Sequence, residues 1–135
     1  MPRRFKEIMV VDDEAGLRAL LSDALLEEGY NVTLAKDGKD SLRQLRKKRF
    51  DLLITDINMP HLNGIELLKR MKREGRTEKV ILMTGEPVDR SLLNKDVQPV
   101  FVQLKKPFRM NHLLDAVLSA LDTACAGQKR KRNAA

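Results

Sequence analysis

The stretch KEIMVVDDEAGLRALLSDALLEEGYNVTLA, Lys6 to Ala35, decides the fold. Its apolar run from Lys6 to Val11 reads as a strand and stops at two acids, Asp12 and Asp13. Glu14 to Glu28 then places Leu17, Leu20, Leu21, Ala24 and Leu25 at helical spacing, and Gly29 supplies a C-terminal stop. Asn31 to Ala35 is a second short strand. A strand, an amphipathic helix and another strand within about thirty residues form the repeating unit of parallel α/β sheets.

The same alternation continues along the chain. After the Asp37-Gly38 turn, a basic helix from Lys39 to Lys48 turns Leu42 and Leu45 inward, and Leu52 to Thr55 is a third strand. A loop carrying Asn58, Pro60 and Asn63-Gly64 leads to a helix with Ile65, Leu68 and Met71 on one face, ending near Gly75. Val80 to Met83 is the fourth strand. Between Glu86 and Gln98 the apolar stripe thins to Val88, Leu92 and Leu93, flanked by Pro87 and Pro99, so only a short or irregular helix is expected. Val100 to Leu104 is the fifth strand, and Asn111 is placed to cap a last helix carrying Leu114, Val117, Leu118 and Leu121. Beyond Ala126-Gly127 the chain is polar and basic.

The chain's 135 residues suit one domain. The division expected is a folded unit over 1–126 and a disordered basic tail over 127–135. One cysteine, Cys125, rules out an internal disulfide framework, and no apolar run is long enough to enter a membrane, so a cytoplasmic protein is expected. The formal charge is +7; subtracting the four cations Lys129, Arg130, Lys131 and Arg132 leaves +3 for the body. Its other cations fall mostly on polar helix faces and termini, and the Phe and Tyr residues able to stack on bases are few: Phe5, Tyr30, Phe50, Phe101 and Phe108. Nucleic-acid binding is therefore not expected, except through the tail. His61 and His112 have no partner at metal-ligand spacing and read as polar surface.

The chemistry sits at the strand ends. Asp12-Asp13 follows IMVV, Asp56 follows LLIT, Thr84 follows VILM, and Lys106 follows VFVQLK. In an open parallel sheet these carboxyl ends share one edge, where ligands bind. One Asp between strand and helix is ordinarily a cap, but only one of a pair can serve, and Asp56 adds a third acid from a neighbouring strand. Two carboxylates about 4 Å apart repel by roughly 4 kcal/mol at an effective dielectric near 20, so the cluster requires a cation. Few protein oxygens and no soft ligand call for a hard cation that keeps waters and takes phosphate oxygens, which suits Mg²⁺ better than Ca²⁺. Lys106 facing the acids can pair with Asp56, or with a phosphoryl oxygen. Gly85 beside Thr84 lets a ligand approach the backbone.

The motifs VVDDE (Val10 to Glu14), DLLITDINMPHLNGIELL (Asp51 to Leu68), ILMTG (Ile81 to Gly85) and LKKPF (Leu104 to Phe108) carry a resemblance over residues 5 to 125. In order and spacing the chain resembles the receiver domain of two-component response regulators, of the stand-alone chemotaxis type. The resemblance implies a flavodoxin-like (βα)5 three-layer sandwich whose parallel sheet has the order 2-1-3-4-5. It makes Asp56 the phospho-acceptor. Asp13 and Asp56 would ligate Mg²⁺ directly, Asn58 through its backbone carbonyl, and Asp12 through a water. Thr84 would donate to the phosphoryl group and Lys106 would neutralise it, while Pro60 and Gly64 shape the loop leaving the site. The donor would be a phosphohistidine on a sensor histidine kinase or phosphotransfer protein, and output would pass by contact to a downstream protein. The chain would catalyse only its own phosphorylation and dephosphorylation. Asn58 and Glu86, two residues beyond the acceptor and the threonine, are the pairing of rapidly reset receivers.

Departures cluster near the fifth strand. Gln103 stands where the family usually has an aromatic residue, Val97-Gln98-Pro99 replaces a small Gly-Ala pair, and Phe101, on the same strand face as Gln103 by simple alternation, is expected in the core. Signalling is therefore expected to rest on movement of Thr84 and on order in the segment from Glu86 to Gln98. The alternatives are a receiver fragment of a larger DNA-binding regulator, or an aspartyl-phosphate hydrolase of the haloacid dehalogenase kind. Such hydrolases place the nucleophile first, in an Asp-x-Asp motif, and the acidic pair last; here the pair comes first and the acceptor stands in Asp56-Ile57-Asn58.

Overall fold

In a computed structural model, which describes residues 5–59 and 61–122, the strands are β1 (Glu7–Val11), β2 (Asn31–Ala35), β3 (Leu52–Asp56), β4 (Lys79–Thr84) and β5 (Val100–Lys105). The helices are α1 (Ala15–Glu27), α2 (Gly38–Lys47), α3 (Gly64–Arg73) and α4 (Met110–Leu121). All strand pairings are parallel, in the order β2-β1-β3-β4-β5, which is the fold class expected. Strand order reverses beside β1, and the carboxyl ends of β1 and β3 are direct neighbours there. None of the described helices is long and apolar enough to cross a membrane.

Two apolar layers sandwich the sheet. One joins Met9, Val11, Leu53, Val80 and Leu82 to α2 and α3; the other joins Ile8, Val10, Ile54, Ile81 and Met83 to α1 and α4. Alternating residues of β1, β3 and β4 thus face opposite layers, and beyond the half-buried Glu7 and Lys79 at their starts those strands are buried because helices cover both faces. Side chains cap two of the helices. Asp37 accepts from Asp40 N at the start of α2, and Asn63 accepts from Glu66 N at the start of α3. Gly29 takes φ +92° just past α1, the left-handed conformation that ends a helix at no steric cost.

The crossover between β4 and β5 contains only a 3-10 turn, Arg90–Leu92, the short, irregular helix expected there. Asp89 there accepts from Ser91 N, and Asn94 from Asp96 N, so short polar side chains divert backbone groups that a helix needs. Phe101 is exposed rather than core: Val80 pairs with Val100 but Ile81 with Val102, leaving Phe101 as the extra residue of a bulge and reversing the alternation beyond it. Leu20 is 56% exposed because the sheet-facing stripe of α1 runs through Leu21 and Leu25. Helix α4 buries Leu113, Val117 and Ala120 and leaves Leu118 exposed. It begins after Arg109 without a side-chain cap, so Asn111 lies inside its first turn rather than at its cap. Pro60, Cys125, the Ala126-Gly127 boundary and the basic tail over 127–135 lie outside the described residues.

Candidate functional site

Asp12, Asp13 and Asp56 converge at the ends of β1 and β3, where each offers a carboxylate oxygen and these oxygens lie within 4.8 Å of one another. Asp12 and Asp56 are buried and Asp13 is exposed, so the cluster has a closed floor and an open mouth. Both carboxylate oxygens of Asp12 already have a partner. Its Oδ1 accepts from Glu14 N at 2.8 Å, its Oδ2 from Lys106 Nζ at 3.0 Å, and its carbonyl from Arg18 Nη1 at 2.5 Å. It therefore turns the chain into α1 and supports the site rather than capping the helix, whose boundary residue is Glu14.

Lys106 reaches the acids from the end of β5, with Nζ 3.2 Å from Asp56 Oδ2 as well as 3.0 Å from Asp12. The expected pair with Asp56 is present, and the Asp12 pair is added to it. Burial, the largest influence, pulls the Lys106 pKa down, but the hydrogen bonds and charges of Asp12 and Asp56 outweigh it and raise the ammonium above the ordinary lysine value. It stays protonated and free to follow negative charge within the site.

Asn58 N stands 3.3 Å from Asp56 Oδ1, so the loop after β3 folds over the acceptor candidate. Gly64 makes that loop possible. A Cβ there would stand 2.8 Å from Asp56 O and 2.9 Å from Ile57 Cα, both backbone atoms, and Gly64 N donates to Ile57 O at 2.9 Å. Gly85 is different, since a Cβ there would meet nothing within 4 Å and no packing demands glycine.

Thr84 lies beside the site without joining it. Asp56 pairs with Met83, the residue before it, and Lys106 N donates to Thr84 O at 2.7 Å. Its hydroxyl, however, donates to Glu86 O and accepts from Glu86 N. Asn58 and Glu86, expected as a pair, do line one hollow of about 410 Å³ together with Ile57, Thr84 and Val88. His61, with φ 71°, is exposed and belongs to no metal-ligand cluster among the described residues.

Three features escaped sequence reasoning. Arg18 reaches back to the Asp12 carbonyl from the first turns of α1. A second hollow, of about 360 Å³, opens beside Lys106 and is walled by Leu17, Leu20, Phe108 and Met110. At the opposite end of the sheet, Glu78 is buried against Arg76 at 2.6 Å and accepts from Phe50 N, while Gln98 Nε2 donates to the carbonyls of Arg76 and Glu78. None of these had a sequence signal, since Leu20 sits at the same helical spacing as the buried leucines of α1.

The residues fit a hard divalent cation, with an all-oxygen donor set, a buried floor and more negative charge than Lys106 balances. Comparison with known proteins agrees with the geometry. The sequence profile of the response regulator receiver domain matches residues 8–118. Sporulation initiation phosphotransferase F of Bacillus subtilis is 37% identical over 114 residues, covering 83% of this chain and 90% of that protein. Transcriptional regulatory protein GlrR of Escherichia coli is 32% identical over 135 residues, covering 99% of this chain but 30% of that protein. Among solved structures, response regulator TrrA of Thermotoga maritima, in complex with Mg²⁺ and BeF, superposes with a TM-score of 0.76 at 32% identity, over 87% of this chain and all of that one.

Proposed function

The chain belongs to the response regulator receiver domain family, and from that premise we propose that it is a phosphorylation switch that takes a phosphoryl group onto Asp56. The donor is phosphohistidine on a sensor histidine kinase or phosphotransfer protein. The observation that carries this reading is the convergence of three carboxylates from two adjacent strands on one mouth, with Lys106 bridging Asp12 and Asp56.

Each residue then has a task. A carboxylate oxygen of Asp56 attacks phosphorus as the P–N bond breaks, and the electron pair leaves on the imidazole. Lys106 follows the negative charge from the Asp56 carboxylate to the phosphoryl oxygens. Asp13, Asp56 and the Asn58 carbonyl would hold Mg²⁺ directly, and Asp12 would support it through a water. Bound there, Mg²⁺ supplies charge neutralisation for the acids and the incoming oxygens. Thr84 donates to the phosphoryl group after leaving Glu86. Asn58 and Glu86, sharing a hollow beside the acceptor, govern access of hydrolytic water, and the phosphoryl state is short-lived; a decay lasting many hours contradicts this.

The apolar hollow of Leu17, Leu20, Phe108 and Met110 adjoins Lys106 and receives the donor protein, which must bring its imidazole to the same mouth. The domain spans 1–126, works in the cytoplasm, acts on no other substrate and signals as a stand-alone protein by contact with a downstream target. The GlrR relative, of which the chain spans 30%, favours a second reading as the receiver of a longer DNA-binding regulator. An immunoblot of the native product separates these by size. The chemistry itself is tested by incubation with acetyl phosphate and Mg²⁺ followed by intact mass. The expected result is one added phosphoryl group in the wild type and none in Asp56→Asn; a wild type that takes up none overturns the proposal.

A further inference from the structure

The side chain of Gln103 closes a ring around Thr84. Beyond the Phe101 bulge, Gln103 pairs with Leu82 and shares its sheet face, the face on which Thr84 also lies. From there Gln103 Oε1 accepts from Val88 N at 2.8 Å. Val88 is joined to Glu86 through Pro87, whose ring fixes its φ, so a stop placed on Val88 is passed to Glu86 with little slack. Glu86 in turn offers both its carbonyl and its N–H to the Thr84 hydroxyl. The base of the ring is rigid, with Thr84 paired to Lys105 and bonded through its carbonyl to Lys106 N.

A threonine hydroxyl has one proton to donate. In this structure it goes to the Glu86 carbonyl, so Thr84 can donate to a phosphoryl oxygen only after the Glu86 loop lets go. We infer that Gln103 is a positioning residue: its carboxamide, through Val88 and Pro87, holds the Glu86 loop on Thr84 and biases the site against the phosphoryl-bound state. This rests on the phosphoryl-switch reading of the site and adds the element that sets its resting balance. Gln103 touches none of the reacting groups, so its effect is read in an equilibrium and in one backbone amide.

The test compares the full chain with Gln103→Met, which keeps the side chain's length but removes the acceptor, and with Asn94→Ala. The latter removes two exposed hydrogen bonds from the same crossover without touching Val88. Each protein is titrated with beryllofluoride in saturating Mg²⁺, and Val88 amide exchange is measured without either. Gln103→Met is expected to half-saturate at about five-fold lower beryllofluoride and to exchange Val88 about five-fold faster, the factor one ordinary hydrogen bond makes. Asn94→Ala is expected to change neither. Unchanged or weakened binding in Gln103→Met, or an equal shift in Asn94→Ala, overturns the inference while leaving the switch intact. A wild type that binds no beryllofluoride overturns both.

Discussion

Replacing Asp13 by asparagine is expected to make the metal-free protein more stable. Asp13 is exposed, and its carboxylate lies within 4.8 Å of oxygens on both Asp12 and Asp56. At that distance each repulsion is about 3.5 kcal/mol at an effective dielectric of 20, and about 0.9 kcal/mol at that of water. Exposure pulls the effective value toward the lower figure, and Lys106 offsets part of the sum from the far side. The net relief is about 1 to 2 kcal/mol, which for a domain of this size raises the thermal midpoint by about 4 to 8 °C. Added Mg²⁺ must show the opposite pattern, stabilising the wild type by mass action and the variant far less. The assay is thermal unfolding of both proteins with chelator and with millimolar Mg²⁺, at low salt. A variant less stable than wild type in chelator, or one that gains as much from Mg²⁺, refutes an acid cluster held together for a cation.

The remaining predictions concern the frame and the approach to the site. Gly64→Ala forces a Cβ to 2.8 Å from the Asp56 carbonyl and is expected to cost about 1 to 3 kcal/mol in denaturant melts, whereas Gly16→Ala, with nothing within 4 Å of the new Cβ, loses nothing. For Glu78, burial, the largest influence, raises the pKa, but the Arg76 pair and the Phe50 N–H outweigh it and set it below the ordinary carboxylate value. Its contribution is therefore full above the unfolded carboxylate range near pH ~4.3 and is lost as pH falls through the lower folded value. The stability gap between wild type and Glu78→Gln should shrink below about pH 4, and a gap that widens there refutes the assignment. Leu20→Ser with Phe108→Ser is expected to slow transfer from a phosphohistidine protein about ten-fold or more while leaving acetyl phosphate uptake unchanged; equal loss from both donors counts against donor docking at that hollow.

The site was legible because each of its groups ends an apolar run, and a parallel sheet gathers such ends on one edge. Asp12, Asp13, Asp56 and Lys106 meet for that reason alone. What stayed hidden was whatever depends on register or on side chains meeting distant backbone. The Phe101 bulge has no local signature, yet by one extra residue it reverses which side chains face the core and turns Gln103 toward Val88. The Glu78, Arg76 and Gln98 network joins residues about twenty positions apart, where neither period nor motif reaches. Helix boundaries erred at Asn111 because a capping residue type marks a position only to within a residue or two. The crossover after β4 holds only a short 3-10 turn, as its thin apolar stripe implies, since a helix without a face to bury has little to stabilise it.

The most direct measurement asks which carboxylate carries the phosphoryl group. The protein phosphorylated by acetyl phosphate in Mg²⁺ is reduced with borohydride, which converts an aspartyl phosphate to homoserine, then digested and sequenced by tandem mass spectrometry. Homoserine at position 56, with intact aspartate at 12 and 13, is the predicted result. Homoserine at position 12 or 13, or unmodified aspartate at all three, contradicts the account.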